Sequence, residues 1–234
     1  MFIGSFLIVS LTKITHIFKL TRIWELLGQI SASLVIIIVG KLDISFLNLI
    51  YGGQIELGYL SIPFSLLFLV GFTNVMNLEK VQNHLILLLP CVSLVSLSIL
   101  AFIMGDSFVS LAGICTCLTI IIILLYGYFS RKDFVGRTIT SSIGFIIASL
   151  SLALIQISIV TIYIPIFTLA LPFALYYLIH NKFTIMQSIT ISLLIAILFS
   201  VIMFIVPDYI LGYLVVGLTV ILVITQLSRR YRFI

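Results

Sequence analysis

Stretches of about 20 apolar residues recur along the whole chain, and they constrain its fold more than any other feature. We count nine runs, at roughly 2–12, 24–40, 59–77, 84–104, 107–129, 138–157, 159–179, 184–206 and 209–227. A helix needs about 20 mostly apolar residues to cross a bilayer, and the first run is short for this. Only 8% of the residues are charged, against roughly 25% in a soluble domain. We predict an all-α polytopic membrane protein with about nine transmembrane helices, forming a single transmembrane domain over 1–234.

The basic residues predict the orientation of this bundle. Eleven of the twelve Lys and Arg residues fall in alternate loops or at the C-terminus, and Lys41 alone lies in the opposite set. Loops rich in Lys and Arg remain in the cytoplasm. We therefore expect the N-terminus outside and the C-terminus in the cytoplasm. Because the positive charges are spread over short loops, they do not predict a nucleic-acid partner.

One external loop, residues 41–60, is longer than the others. Its apolar residues alternate around Gly52-Gly53, and a Gly-Gly pair supplies the positive φ angles of a two-residue turn. The pattern predicts a β-hairpin at roughly 43–58. Because lipid does not tolerate open sheet edges, we expect the hairpin at the external membrane surface.

Three segments resemble a known family. They are "LLGQI" (26–30), "GGQIELGYLSIPFSLLFLVGFTNVMNL" (52–78) and the polar stretch "NVMNLEKVQNHL" (74–85). They are similar to the bacterial polyprenyl-phosphate N-acetylhexosamine-1-phosphate transferases, which include the phospho-MurNAc-pentapeptide translocase. The resemblance implies a bacterial plasma-membrane protein. It also implies Mg²⁺-dependent transfer of a sugar 1-phosphate from a UDP-sugar to a polyprenyl phosphate at the cytoplasmic face.

The chain lacks the acidic residues of that family's motifs. Thr15 and His16 stand where the first motif has two aspartates. The second motif reads Asn-x-x-Asn-x-x-Asp; Asn74 and Asn77 match it, but Lys80 replaces its aspartate. The resemblance thus implies a degenerate member, and we expect it to be shortened at its N-terminus.

The later motifs differ in the same way. In "FVGRTIT", Arg137 stands at the place of a metal-binding aspartate, and the family's His-rich loop corresponds here to "IHNKF" (179–183). Cations repel a metal ion. We therefore predict no bound Mg²⁺ and no catalytic residues.

A further segment, "FIMGDSF" (102–108), resembles the family's Met-Gly-Asp-Thr-Gly motif. The predicted topology places Asp106 in a tight external turn, away from the other motifs. Asp at the start of a helix commonly caps it. We therefore expect Asp106 to be a helix cap and not a metal ligand.

Six polar or basic residues at the predicted cytoplasmic side are candidates for binding a lipid phosphate: Asn74, Asn77, Lys80, Arg131, Lys132 and Arg137. Arg and Lys pair directly with phosphate. The alternative is that the basic residues serve only as the orientation signal. The two asparagines share a helix face and either bond to a head group or tie helices together.

Three hypotheses follow. The first is a non-catalytic membrane subunit in cell-envelope polysaccharide synthesis that binds a lipid such as polyprenyl phosphate or partners an active transferase. The second is an active transferase that uses a different cytoplasmic carboxylate set, Glu25, Glu79 and Asp133. The third is a small transporter, suggested only by the number of spans.

Overall fold

Each apolar run that the structure describes forms a helix. The computed structural model describes residues 2–17, 22–48, 54–76, 84–130, 136–155, 160–180, 182–207, 210–215 and 217. The helices are α1 (Phe2–Ile17), α2 (Arg22–Gly40), α3 (Ser61–Val75), α4 (Leu88–Ile103), α5 (Ser107–Ser130), α6 (Arg137–Ile155), α7 (Val160–Pro165), α8 (Leu171–Ile179) and α9 (Ile185–Ile205). Short 3₁₀ turns, Gly58–Leu60 and His84–Leu87, precede α3 and α4, and a π-helical segment, Ile166–Ala170, joins α7 to α8.

Seven described segments are long and apolar enough to span a bilayer. Their mean hydropathy lies between 1.5 and 2.7, and α7, the π-helical segment and α8 together make one of them. The predicted count of about nine is not confirmed. Helix α1 has 16 residues, fewer than the roughly 20 that a span requires. Most of the ninth apolar run, 209–227, lies outside the described residues.

Two short antiparallel strands lie in the predicted hairpin. Strand β1 (Phe46–Asn48) pairs with β2 (Gln54–Glu56), and Leu47 lies opposite Ile55. The predicted Gly-Gly turn falls in residues 49–53, outside the described residues. The external location of this element stays a prediction.

The segment before β1 is attached to the first turns of α3 by side-chain hydrogen bonds. The Asp43 carboxylate accepts bonds from the hydroxyls of Ser61 and Ser45. The Ser65 hydroxyl accepts a 2.8 Å bond from the Ile44 backbone N–H. Ser61 and Ser65 are buried, so these bonds satisfy polar groups that would otherwise be unpaired at the protein interior.

Helices α1, α2, α3 and α6 form a closed ring, in which each helix packs against two others. Glycines permit the close approaches. A Cβ at Gly4 would lie 2.8 Å from the Ile36 side chain, and a Cβ at Gly144 would lie 2.6 Å from the Phe72 carbonyl oxygen. Small residues at helix interfaces allow backbones to approach in this way. We call these four helices the four-helix ring; α6 also contacts α4, which packs against α5 and α9.

Basic and polar residues lie at one end of the four-helix ring. Successive helices alternate in direction, so the end of α1, the start of α2, the end of α3 and the start of α6 lie at the same end of the bundle. We call this end the basic pole and define it by Lys13, Glu25, Asn74 and Arg137. The opposite end carries Asp43 and Asp106.

The Gly144 contact predicts a stability difference between two glycine substitutions. Gly144→Ala should lower the free energy of unfolding by roughly 1–3 kcal/mol, the usual cost of overpacking, because the methyl group would meet a backbone carbonyl. Gly71→Ala in α3 is the matched control, since a Cβ there meets nothing within 4 Å. Thermal unfolding in detergent should separate the two variants. Equal melting temperatures would contradict the α3–α6 contact.

The orientation can be tested with two cysteine variants in a chain whose three native cysteines are replaced. Tyr59, beside the strands, is 99% exposed, and Lys182, between α8 and α9, is also exposed. In intact cells an impermeant maleimide should label Tyr59→Cys and should label Lys182→Cys only after permeabilisation. The reverse labelling pattern would show that the protein has the opposite orientation in the membrane.

Candidate functional site

A hydrogen bond between two side-chain amides joins α2 to α3 near the basic pole. Asn74 Nδ2 donates to Gln29 Oε1 at 2.8 Å and to the backbone carbonyl of Val70 at 2.9 Å. A primary amide has two N–H donors, so both donors of Asn74 are used within the protein. Asn74 therefore ties two helices together, which is one of its two predicted roles. Its role toward a head group stays a prediction.

Gln29 is the buried partner in this bond. It is 2% exposed, and its Nε2 has no hydrogen-bond partner among the described residues. Glu25, one turn earlier on α2, is 7% exposed. On the same face of α2, Ala32, Ser33 and Ile36 continue a buried stripe. The polar end of this stripe thus lies at the basic pole and the apolar end deeper in the four-helix ring.

The six predicted phosphate-binding residues are only partly described. Asn74 is exposed near the end of α3. Arg137 is the first residue of α6, where the Gly136 carbonyl accepts hydrogen bonds from the backbone N–H groups of Ile139 and Thr140. The other four candidates lie outside the described residues: Asn77, Lys80, Arg131 and Lys132.

The contact between α3 and α6 gives the position of the start of α6, at Arg137, relative to the end of α3, near Asn74. A Cβ at Gly144 would lie 3.0 Å from the Met76 side chain. Arg137 precedes Gly144 by seven residues, or about 10 Å along the helix axis. Helix α6 therefore begins beyond the described end of α3, at the basic pole.

Asp106 has the predicted capping role. Its Oδ1 accepts a 3.0 Å hydrogen bond from the Val109 backbone N–H in the first turn of α5, and Gly105 before it has a φ of +80°. A side-chain oxygen that accepts a hydrogen bond from the backbone N–H three residues later identifies its residue as a helix N-cap. The capping bond accounts for Asp106 in the structure, and its exclusion as a metal ligand stays a prediction.

A second concave surface lies between α4 and α5. This apolar groove has a volume of about 380 Å³, and the residues that line it include Val95, Ile99, Phe102, Ile114 and Leu118. No lining residue is charged. The groove is separate from the residues that define the basic pole, and its polar lining residues, Ser98 and Ser110, are uncharged.

Comparison with known proteins shows to which family the chain belongs. Residues 1–155 match the sequence profile described as glycosyl transferase family 4. The chain belongs to glycosyl transferase family 4. It is 26% identical over 154 residues to a probable undecaprenyl-phosphate N-acetylglucosaminyl 1-phosphate transferase of Bacillus subtilis, a match that covers 64% of this chain and 42% of that protein.

Two further relatives are phospho-N-acetylmuramoyl-pentapeptide-transferases. The enzyme of Streptococcus thermophilus is 30% identical over 138 residues, covering 56% of this chain and 39% of its own length. That of Streptococcus pneumoniae is 28% identical over 105 residues, covering 45% and 32%. The chain thus matches less than half the length of these relatives. The predicted family resemblance is confirmed, and the seven apolar helices and bacterial relatives indicate a bacterial membrane protein.

Gln29 was not among the predicted site residues, although the segment "LLGQI" carried the resemblance. Its signal in the sequence is a polar side chain at helical spacing within an apolar stripe. Polar side chains inside a membrane bundle generally face other helices. That rule indicates a partner for Gln29, but it does not select Asn74 from the other polar residues.

The amide pair predicts a measurable coupling. Asn74→Leu and Gln29→Leu should each destabilise the protein, because each leaves the other amide unpaired. In a double-mutant cycle the two losses should be less than additive by about 0.6–1.7 kcal/mol, as for other hydrogen bonds within membranes. Unfolding in detergent measures the cycle, with Asn74→Leu/Ser96→Ala as a control pair from separate contacts. Additive losses for Gln29 and Asn74 would contradict the bond.

Proposed function

We propose that this chain is a non-catalytic member of its family that binds a polyprenyl phosphate at the basic pole and serves bacterial cell-envelope polysaccharide synthesis. The observation that carries this proposal is the close α3–α6 contact at Gly144, Phe72 and Met76. It brings the start of α6, at Arg137, toward the end of α3, the helix that precedes Lys80 in the sequence. Membership of the family favours a lipid-phosphate ligand over the transporter hypothesis.

The residues at these positions do not fit Mg²⁺. A hard dication takes oxygen ligands, above all carboxylates. Arg137 and Lys80 offer only donors and positive charge, at positions where the family resemblance implies aspartates. Among the described residues, no three His, Cys, Asp or Glu side chains converge. The proposed function therefore involves no metal ion.

The same residues suit a phosphate. Charge-assisted hydrogen bonds from Arg and Lys to phosphate are shorter and stronger than neutral ones. The N-terminus of α6, where Arg137 lies, carries the partial positive charge of a helix start, and this adds to the attraction for an anion. Near the membrane surface such pairs are less screened than in open solvent. In this proposal a lipid phosphate binds the cations Lys80 and Arg137, with the positive end of a helix adding to the attraction.

Two measurements on the purified chain test this function. With Mg²⁺, UDP-GlcNAc and undecaprenyl phosphate, the protein should release no UMP above a protein-free control. Enzymes commonly turn over about 1–1000 times per second, so even a thousandfold slower reaction would be detected. Binding of undecaprenyl phosphate, measured by native mass spectrometry, should nevertheless be present.

The double substitution Lys80→Ala/Arg137→Ala should weaken that binding by more than tenfold, because each charged hydrogen bond contributes about 1.5–3 kcal/mol. The matched control, Lys13→Ala/Lys182→Ala, removes two exposed cations on the predicted cytoplasmic side and should change binding little. Release of UMP would show an active transferase. Equal losses of lipid affinity in the two double variants would contradict phosphate binding by Lys80 and Arg137. The basic residues would then serve only as an orientation signal.

A further inference from the structure

The apolar groove between α4 and α5 runs along the two helices. Its lining residues recur at every third or fourth position on each helix: Val95, Ile99 and Phe102 on α4, and Ser110, Ile114 and Leu118 on α5. This spacing places them on one face of each helix, over about 10 Å along the axis. Spanning helices tilt by only about 20° from the bilayer normal, so the groove runs roughly parallel to the lipid chains. Its direction fits an extended acyl chain better than a compact ligand.

The floor of the groove lies where Gly113 brings the two helices together. A Cβ at Gly113 would overlap the hydroxyl oxygen of Ser98. The Ser98 hydroxyl donates to the Leu94 backbone carbonyl at 2.7 Å, so its donor is used within α4. The walls are open to the surroundings of the protein, since Ile99 is 46% exposed and Leu118 is 54% exposed. The groove therefore offers apolar contact to a chain that enters from the side.

One end of the groove leads to the turn that carries Asp106. Phe102 precedes Asp106 by four residues, and Ser110 follows it by four. The Asp106 N–H donates to the Ala101 carbonyl at 2.9 Å, and the Asp106 carbonyl accepts from the Ser110 N–H at 3.1 Å. These backbone bonds attach Asp106 to both helices, within about one helical turn of the groove.

The half-buried Asp106 carboxylate has one oxygen that the fold does not use. Oδ1 accepts the capping bond from the Val109 N–H. Within the described part of the chain, no hydrogen bond or ion pair engages Oδ2. A carboxylate attracts a cation, and a cation that donates N–H groups also forms a charge-assisted hydrogen bond with it. The end of an uncharged groove thus carries a single negative charge.

We propose that the α4–α5 groove binds an acyl chain of a phospholipid whose head group carries a primary ammonium, and that Asp106 Oδ2 accepts a hydrogen bond from this ammonium. The inference does not depend on the proposed function, because neither the groove nor Asp106 belongs to the basic pole. The two sites select opposite charges. A polyprenyl phosphate in the groove would bring its negative charge toward the Asp106 carboxylate, and like charges repel.

Phospholipids with identical acyl chains test the selection of the head group. Phosphatidylethanolamine carries an ammonium with N–H donors, phosphatidylcholine carries a cation without N–H donors, and phosphatidylglycerol carries no cation. In native mass spectrometry of the full chain, phosphatidylethanolamine should bind roughly two- to fivefold more tightly than phosphatidylglycerol, the range for one exposed ion pair. Phosphatidylcholine should fall between them.

Two amide substitutions assign that preference to one carboxylate. Asp106→Asn should abolish it, and because asparagine caps a helix as well as aspartate does, the start of α5 should stay folded. Glu56→Gln is the matched control. It removes an exposed carboxylate from the chain before the start of α3, at the same end of the bundle, and should leave the preference intact. A preference that survives in Asp106→Asn would overturn the assignment of the ammonium to Asp106.

Photocrosslinking tests the position of the chain. Phosphatidylethanolamine with a diazirine in one acyl chain should label lining residues such as Ile99 and Ile114, identified by peptide mass spectrometry. Ile114→Trp, which fills the groove, should reduce this labelling severalfold, whereas Leu67→Trp on the exposed face of α3 should not. Unlabelled phosphatidylethanolamine should compete better than undecaprenyl phosphate. Labelling outside the groove only, or equal competition by the two lipids, would overturn the proposed site.

Discussion

A side-chain amide within an apolar bundle must find its hydrogen bonds in the protein, because lipid offers none. Asn74 Nδ2 and Gln29 Oε1 meet this requirement with each other, and the bond sets α2 and α3 in register at the basic pole. Gly144 then brings α6 against the last turn of α3. These two contacts determine which helix ends lie together, and the placement of every described candidate residue depends on them.

The lengths of the helices follow from the sequence because the bilayer dictates them. A predicted run at 107–129 corresponds to α5, Ser107–Ser130, and one at 184–206 corresponds to α9, Ile185–Ile205. The hydrocarbon core of a bilayer, about 30 Å thick, requires about 20 apolar residues in a spanning helix. Helix α1 is the exception: its apolar run at 2–12 extends through polar residues to Ile17, since its packing on α2 and α6 continues the helix beyond the run.

Contacts between helices do not follow from the sequence in the same way. Gln29 and Asn74 are 45 positions apart, and hydropathy contains no information on which face of one span meets another. Asp106 shows the opposite situation. Its local sequence suggests a metal motif, but the alternation of the spans already separates it from the other motifs, and the capping bond to Val109 accounts for it. The extents of these helices were thus predictable where residue pairing was not.

Within the proposed function, replacing carboxylates by Lys80 and Arg137 changes what phosphate binding can achieve. Fixed cations that pair directly with a lipid phosphate stabilise the bound ground state. Catalysis requires interactions that strengthen as the transition state forms. The resemblance assigns charge stabilisation during phosphoryl transfer to a metal ion. A site that exchanges its carboxylates for cations therefore retains affinity for the lipid and loses the differential stabilisation that produces turnover. Recognition without turnover is the property expected of a binding subunit.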